Sequence, residues 1–389
     1  MLKNIKSSFV LKKIFENIRY KSELKVVKYN KAISNRIGIN LQNYKDEFFK
    51  EFYSQFKVKI NDINNQELKL CKKEIQNKKL EFLSRVKFEE LRVLYLNDNG
   101  ISDLNALGKA YFKEIKYLNI RDNQIMDIEP LKEANFTQLK ILYLKNNKII
   151  DINAFNNSNF KYLKELHLGN NRISVLTGLK TANLQFLNVL YLNNNNISDI
   201  SSLKEINCPD LKILDLNNNK ISEINVLNEV TFKELRVLYL KGNKITDLEI
   251  LKHVDFPKLK ELNLNNNQIS SIDVLEFVKF KQLKALDLNH NFISDLNVLA
   301  KLNFKKLKYL NLGHNKISNL EVFKNTNFKD LKLLNLKFNN IKSIKDLNNT
   351  KFKNLRKLYL TGNNINSHEF GFEVGELKQK FKTLKIIIY

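Results

Sequence analysis

Leu91-Arg-Val-Leu94-Tyr-Leu96-Asn-Asp-Asn99-Gly-Ile101 carries the pattern L-x-x-L-x-L-x-x-N-x-I, and the same frame returns every 24 residues to the end of the chain. The asparagine alone fixes the period: Asn99, Asn123, Asn147, Asn171, Asn195, Asn219, Asn243, Asn267, Asn291, Asn315, Asn339 and Asn363. Twelve copies without a slipped residue are a repeat architecture, and they take up roughly three quarters of the chain. Within each copy, Leu94 and Leu96 and their equivalents alternate with variable residues, the signature of a short strand with one buried face. One strand cannot hide that face, so successive copies must stack their strands side by side in a parallel sheet, about 4.8 Å per rung and on the order of 55 Å in length.

A period of 24 with this pattern resembles the leucine-rich repeat family. The resemblance implies an α/β leucine-rich repeat solenoid: a curved parallel sheet of twelve full repeats, with a small helical amino-terminal module ahead of it. The asparagine amide both donates and accepts, so a column of them is expected to satisfy turn groups that would otherwise be buried unpaired. Ile101, Leu104 and Leu107 and their equivalents fill the returning side. A ring column closes the coil: Phe88, Phe112, Phe136, Phe160, Phe232, Phe256, Phe280, Phe304, Phe328 and Phe352, with Leu184 and Cys208 standing in on two rungs. These residues are structural.

The chain divides into residues 1–45, 46–87 and 88–389. In the first segment, Ser7-Ser-Phe-Val-Leu11-Lys-Lys-Ile14-Phe15-Glu-Asn-Ile18 places apolar residues at helical spacing behind serines suited to an N-cap, and a second helical pattern begins at Glu23-Leu24. This layout resembles the F-box, a helical module that docks onto a Skp-type adaptor of a cullin ubiquitin ligase. On that resemblance Leu11, Ile14, Phe15, Ile18 and Leu24 face the adaptor or the module's own core. The Leu-Pro that usually opens the motif is replaced by Asn4-Ile-Lys6, and the later tryptophan is absent. The alternative is a helical cap that shields the first rung. Residues 46–87 read as a charged helical cap, with Phe48, Phe49, Phe52, Tyr53 and Phe56 on one face against the open end of the solenoid. Leu80 and Leu83 lie 24 residues before Leu104 and Leu107, half a rung ahead of the first full one. At the other end, Glu369 to Phe381 reads as an amphipathic helix and Leu384-x-x-Ile387-x-Tyr389 as a thirteenth strand, a capping repeat.

The net charge of +25 invites a nucleic-acid reading, but the basic residues are spread along the chain, though denser in residues 1–87, which hold 21 of the 66 basic and 9 of the 41 acidic residues. One stripe runs Arg92, Lys116, Lys140, Lys164, Lys212, Arg236, Lys260, Lys284, Lys308, Lys332 and Arg356, broken by Asn188; an opposite stripe runs Asp103, Asp127, Asp151, Asp199, Glu223, Asp247 and Asp295. Opposite signs at two edges argue against a nucleic-acid groove. Two cysteines, Cys71 and Cys208, cannot frame a disulfide scaffold, the apolar run after Lys6 is too short for a signal peptide, and no stretch approaches a membrane span; an intracellular protein is expected. Phosphate-cradling glycine loops and metalloprotease or hydrolase motifs are missing, so the chain is not read as an enzyme and no cofactor is expected.

With the leucines inward, the variable strand positions form the outward face. The column between the two strand leucines reads Tyr95, Asn119, Tyr143, His167, Tyr191, Asp215, Tyr239, Asn263, Asp287, Asn311, Asn335, Tyr359. Tyrosine gives a large contact area for little conformational entropy, as recognition surfaces prefer. A neighbouring column holds His290, His314 and Phe338 on consecutive rungs, with Asp287 close by; two histidines fall short of the three or four ligands of a metal site, and a contact patch is the better reading. The expected partner is therefore a protein, held on the concave sheet face by these residues. The sharper form is an F-box-like substrate receptor; the runner-up is a free-standing scaffold or regulatory subunit.

Overall fold

The computed structural model describes residues 41–59, 66–84, 88–158 and 160–387. The adaptor-facing residues Leu11, Ile14, Phe15, Ile18 and Leu24 lie outside them. The chain forms two compact units, Met1–Tyr143 and Leu144–Tyr389.

The first unit contains α1 (Leu41–Phe56), β1 (Glu67–Lys69), α2 (Gln76–Ser84), β2 (Val93–Tyr95), α3 (Asn105–Gly108), β3 (Tyr117–Asn119), α4 (Pro130–Glu133) and β4 (Ile141–Tyr143). Its strands are parallel and in sequence order, with Leu68, Leu94, Leu118 and Leu142 in register. β1 departs from the helical reading of residues 46–87. Leu68 and Leu70 are buried like Leu94 and Leu96, so the ladder begins one rung early. The aromatic face of α1 divides: Phe52 and Phe56 are buried, with ring centroids 6.1 and 5.8 Å from Phe82 of α2, whereas Tyr53 is exposed. Leu80 and Leu83 are buried on α2, as their spacing implied.

The second unit carries β5 (Glu165–His167), β6 (Val189–Tyr191), β7 (Ile213–Asp215), β8 (Val237–Tyr239), β9 (Glu261–Asn263), β10 (Ala285–Asp287), β11 (Tyr309–Asn311), β12 (Leu333–Asn335), β13 (Lys357–Tyr359) and β14 (Lys385–Ile387). These are again parallel, each paired with its sequence neighbours inside the unit. The return from each strand to the next winds only one 3-10 turn, as at Asn225–Asn228, because 24 residues leave too little chain for a longer helix. The last return is longer and holds α5 (Ser367–Lys380), followed by β14, so the capping repeat has the expected helix and strand.

The two structural columns behave as their chemistry requires. Asn123 donates from Nδ2 to the carbonyls of Leu96, Ile120 and Arg121, while its Oδ1 accepts from the amides of Asn99 and Ile101 on the rung before. Asn219 repeats this with Leu192, Leu216, Asn217 and Ile197. One side chain thus closes its own turn and ties it to the preceding rung. The ring column is buried throughout, Leu184 and Cys208 included. Burial pushes the Cys208 thiol up to about 12, which makes it a core group and not a nucleophile.

Candidate functional site

Period 2 in a strand puts the residue before and the residue after each inward leucine on the same outward face. The tyrosine column is the second of these. The first reads Val93, Tyr117 and Ile141 in the first unit, then Glu165, Val189, Ile213, Val237, Glu261, Ala285, Tyr309, Leu333 and Lys357 in the second. Most of these side chains are half-buried, so the sheet face is an apolar stripe beside the tyrosine column. The signal was present, since the alternation that exposes Tyr95 also exposes Val93.

In the first unit the two columns join into one aromatic cluster. The Tyr117 ring lies 5.0 Å from Tyr95 and 5.5 Å from Tyr143, so it bridges two tyrosines that are themselves two rungs apart. Burial, then the neighbouring Tyr95, pushes the Tyr117 hydroxyl up to about 12. Lys69 stands 5.8 Å from the Tyr95 centroid and is held by Glu67 at 3.1 Å. Asn119, between Tyr95 and Tyr143, is buried and its Oδ1 accepts from the Arg121 amide at 3.2 Å.

In the second unit, His167 Nε2 lies 3.1 Å from Glu165 and its ring 4.8 Å from Tyr191. Burial lowers the His167 pKa, against the opposing pull of Glu165. Tyr239 donates its hydroxyl to Glu261 at 3.0 Å; burial first, then that bond, pushes the phenol up to about 12. Between Tyr191 and Tyr239 sits Asp215, 8% exposed, with Oδ1 accepting from the Asn217 amide at 2.9 Å. Burial raises its pKa above the ordinary carboxylate value, and its charge in turn raises that of Tyr191 after burial has done so. Asp287 and Tyr359 take the same outward position on their own strands, half-buried.

His290, His314 and Phe338 are not strand residues. They occupy the turn position just before the buried asparagine, where the backbone is left-handed: φ is +52° at His290, +49° at His314 and +51° at Phe338. Other rungs place Asp98, Asn146 or Asn218 there, residues that tolerate this region, and Gly242 or Gly362. The His290 and His314 rings stack at 3.7 Å and 12°, and His314 and Phe338 at 4.3 Å and 24°. Phe338 leans over Gly362, where an added Cβ would meet its ring at 2.3 Å. Rings stacked face to face do not aim their nitrogens at a common ion; the arrangement is a ladder of exposed edges.

The charged stripes have local work. Asp103, Asp127, Asp151, Asp199, Asp247 and Asp295 each accept from the amide two residues on, closing the turn into the return segment. Among the described residues, no group of three or more histidine, cysteine or acidic side chains is gathered as a metal would need. No described helix is long and apolar enough to cross a membrane.

The family profile described as leucine rich repeats (2 copies) matches residues 89–133, 113–157, 185–229 and 233–277, and that described as leucine rich repeat matches 257–317. No curated protein matches the sequence. Among solved structures, an internalin (inlF) from Listeria monocytogenes is 28% identical, covers 85% of this chain and 89% of its own, and superposes with a TM-score of 0.68. A chain from the Toll–Spatzle complex of Drosophila is 23% identical over 71% of this chain and 38% of that one, with a TM-score of 0.60. A repeat protein of Leptospira interrogans is 21% identical over 87% of this chain and 97% of that one, with a TM-score of 0.51.

Proposed function

This chain belongs to the leucine-rich repeat family, and from that premise we propose that it is a non-catalytic protein-binding module whose sheet face docks the partner. One observation carries the reading. In a chain of net charge +25, the centre of the sheet face in the second unit, Val189, Ile213 and Val237 beside Tyr191 and Tyr239, carries no lysine, and its apolar side chains are half-exposed. Apolar groups ringed by polar and charged ones, with tyrosine at the centre, are the make-up of a protein interface. His167, Asp287 and Tyr359 extend the same face, Tyr95 and Tyr143 give the first unit a face of its own, and the ladder of His290, His314 and Phe338 adds a contact edge at the turns.

The finer reading is a substrate receptor in which the F-box-like residues 1–45 recruit a Skp-type adaptor and the repeats select the target inside the cell. Affinity capture with the full chain tests both levels. Ile213→Arg and Tyr143→Arg should abolish recovery of the partner, while Phe277→Arg, at an exposed return-side position, should not. Phe15→Asp should remove a Skp-type adaptor and leave the partner. If no adaptor is recovered with the unaltered chain, the receptor reading falls and the free-standing scaffold stands.

A further inference from the structure

In the second unit the pattern tyrosine, acceptor, tyrosine on successive rungs has Asp215 at its middle, and among the described residues no lysine or arginine pairs with that carboxylate, in a chain that holds 66 basic residues. Several more exposed carboxylates of the same unit do have a lysine partner. Lys180 pairs with Glu205 at 2.8 Å, Lys204 with Glu229 at 3.2 Å, Lys301 with Glu276 at 2.8 Å and Lys324 with Asp346 at 3.0 Å, and Lys233 and Lys258 pair with Asp255 and Glu234. Asp215 is more buried than any of these, yet among the described residues its one hydrogen bond comes from its own turn, the Asn217 amide. A desolvated carboxylate is the group that most needs a counter-charge.

Its walls suit one. Tyr191 and Tyr239 stand on the rungs before and after Asp215, in register with it. Two strand spacings, about 9.6 Å, separate their columns, so a side chain entering above Asp215 stands one spacing, about 4.8 Å, from each tyrosine's strand. The residue beside Asp215 in the neighbouring outward column is Ile213, which supplies an apolar floor and no ring to fill the gap. Both phenols are already fixed at their outer sides: Tyr191 lies against the His167 ring, and Tyr239 bonds to Glu261.

We propose that Tyr191, Asp215 and Tyr239 form a socket for a single arginine or lysine side chain of the protein partner, with the cation on the Asp215 carboxylate and its stem or plane between the two rings. A planar guanidinium fits best, since it stacks on aromatic faces while its N–H groups reach a carboxylate. The inference rests on the sheet-face reading above and names what that face reads first.

A phage-displayed library of random twelve-residue peptides, panned on the full chain, tests it. Enriched peptides should share one arginine or lysine at a fixed place flanked by apolar residues. Their binding should fall at least tenfold against Asp215→Asn, which preserves shape, and against Ile213→Tyr, which fills the gap. Selected peptides that lack a fixed basic residue, or that bind Asp215→Asn equally well, overturn the socket. If those same peptides are lost against Ile213→Arg, the sheet face still docks protein and only the socket is wrong. A library that yields no binder, or binders indifferent to Ile213→Arg, removes the sheet-face reading with it.

Discussion

Two stretches of the sheet face carry the same motif and finish it differently. Tyr95, Asn119 and Tyr143 in the first unit, and Tyr191, Asp215 and Tyr239 in the second, occupy equivalent positions on consecutive strands. In the first, Tyr117 bridges the gap between the rings and the acceptor beneath is a neutral amide bonded to Arg121. In the second, Ile213 replaces the bridging ring and the acceptor is a carboxylate that no lysine or arginine among the described residues pairs with. One copy satisfies itself; the other leaves both space and charge over. The strands beneath them pair in the same parallel register, so the difference lies in the side chains. In a repeat fold, then, the frame is common property and specificity is written in the outward columns.

If that separation of frame and face is right, damage to the frame should cost the same in both units. Phe112→Ala and Phe232→Ala each remove a ring buried to within 1% and should each lose about 3–5 kcal/mol in urea unfolding. A large gap between the two values breaks the comparison at its base. Asn123→Ala and Asn219→Ala leave carbonyls and an isoleucine amide unpaired and should each cost about 2–4 kcal/mol by the same measurement, without altering peptide binding.

Changes to the face should move binding and spare the frame. Tyr117→Ile combined with Asn119→Asp turns the first copy into the second, and should give a second site for the selected cationic peptides with affinity within about tenfold of the first, or within about 1.4 kcal/mol, read by calorimetric stoichiometry. A stoichiometry that stays at one would mean the surroundings, and not these two positions, make the socket.

The smallest effect is on pH. Burial raises the Asp215 pKa in the folded chain, so folding favours its protonated form, and ionisation costs stability as pH rises from 3.8 through the raised folded value. Asp215→Asn should therefore raise Tm at pH 7 and leave it nearly unchanged below pH 3. Asn119 has no such charge, and Asn119→Asp should do the reverse.

Much of this was legible in the residues. The 24-residue period exposed the strands and the asparagine and ring columns, because each depends on one side chain recurring at a fixed place; the final helix and last strand showed where that period breaks, the last strand lying 28 residues after its partner. β1 was hidden for the same reason: Leu68 lies 26 residues before its partner Leu94, and no asparagine follows it, so the frame does not reach it. The left-handed turn column was legible in part. Asn, Asp and Gly at Asp98, Asn146 and Gly242 signal positive φ, but His290, His314 and Phe338 disguise it as a surface patch. The socket could not be read at all from one column. Asp215 looks like any outward acid until its burial and the ring of Tyr117 in the other copy are set beside it.

The asparagine ties run in one direction within each unit, with the Oδ1 of a later rung reaching the isoleucine amide of the one before. Each turn is therefore finished by chain that the ribosome has not yet released when the turn itself emerges. Synthesis would lay the coil down vectorially, always one unsealed turn behind the growing end, and a chaperone watching that end would meet the same small exposed seam again and again instead of a large unfolded domain.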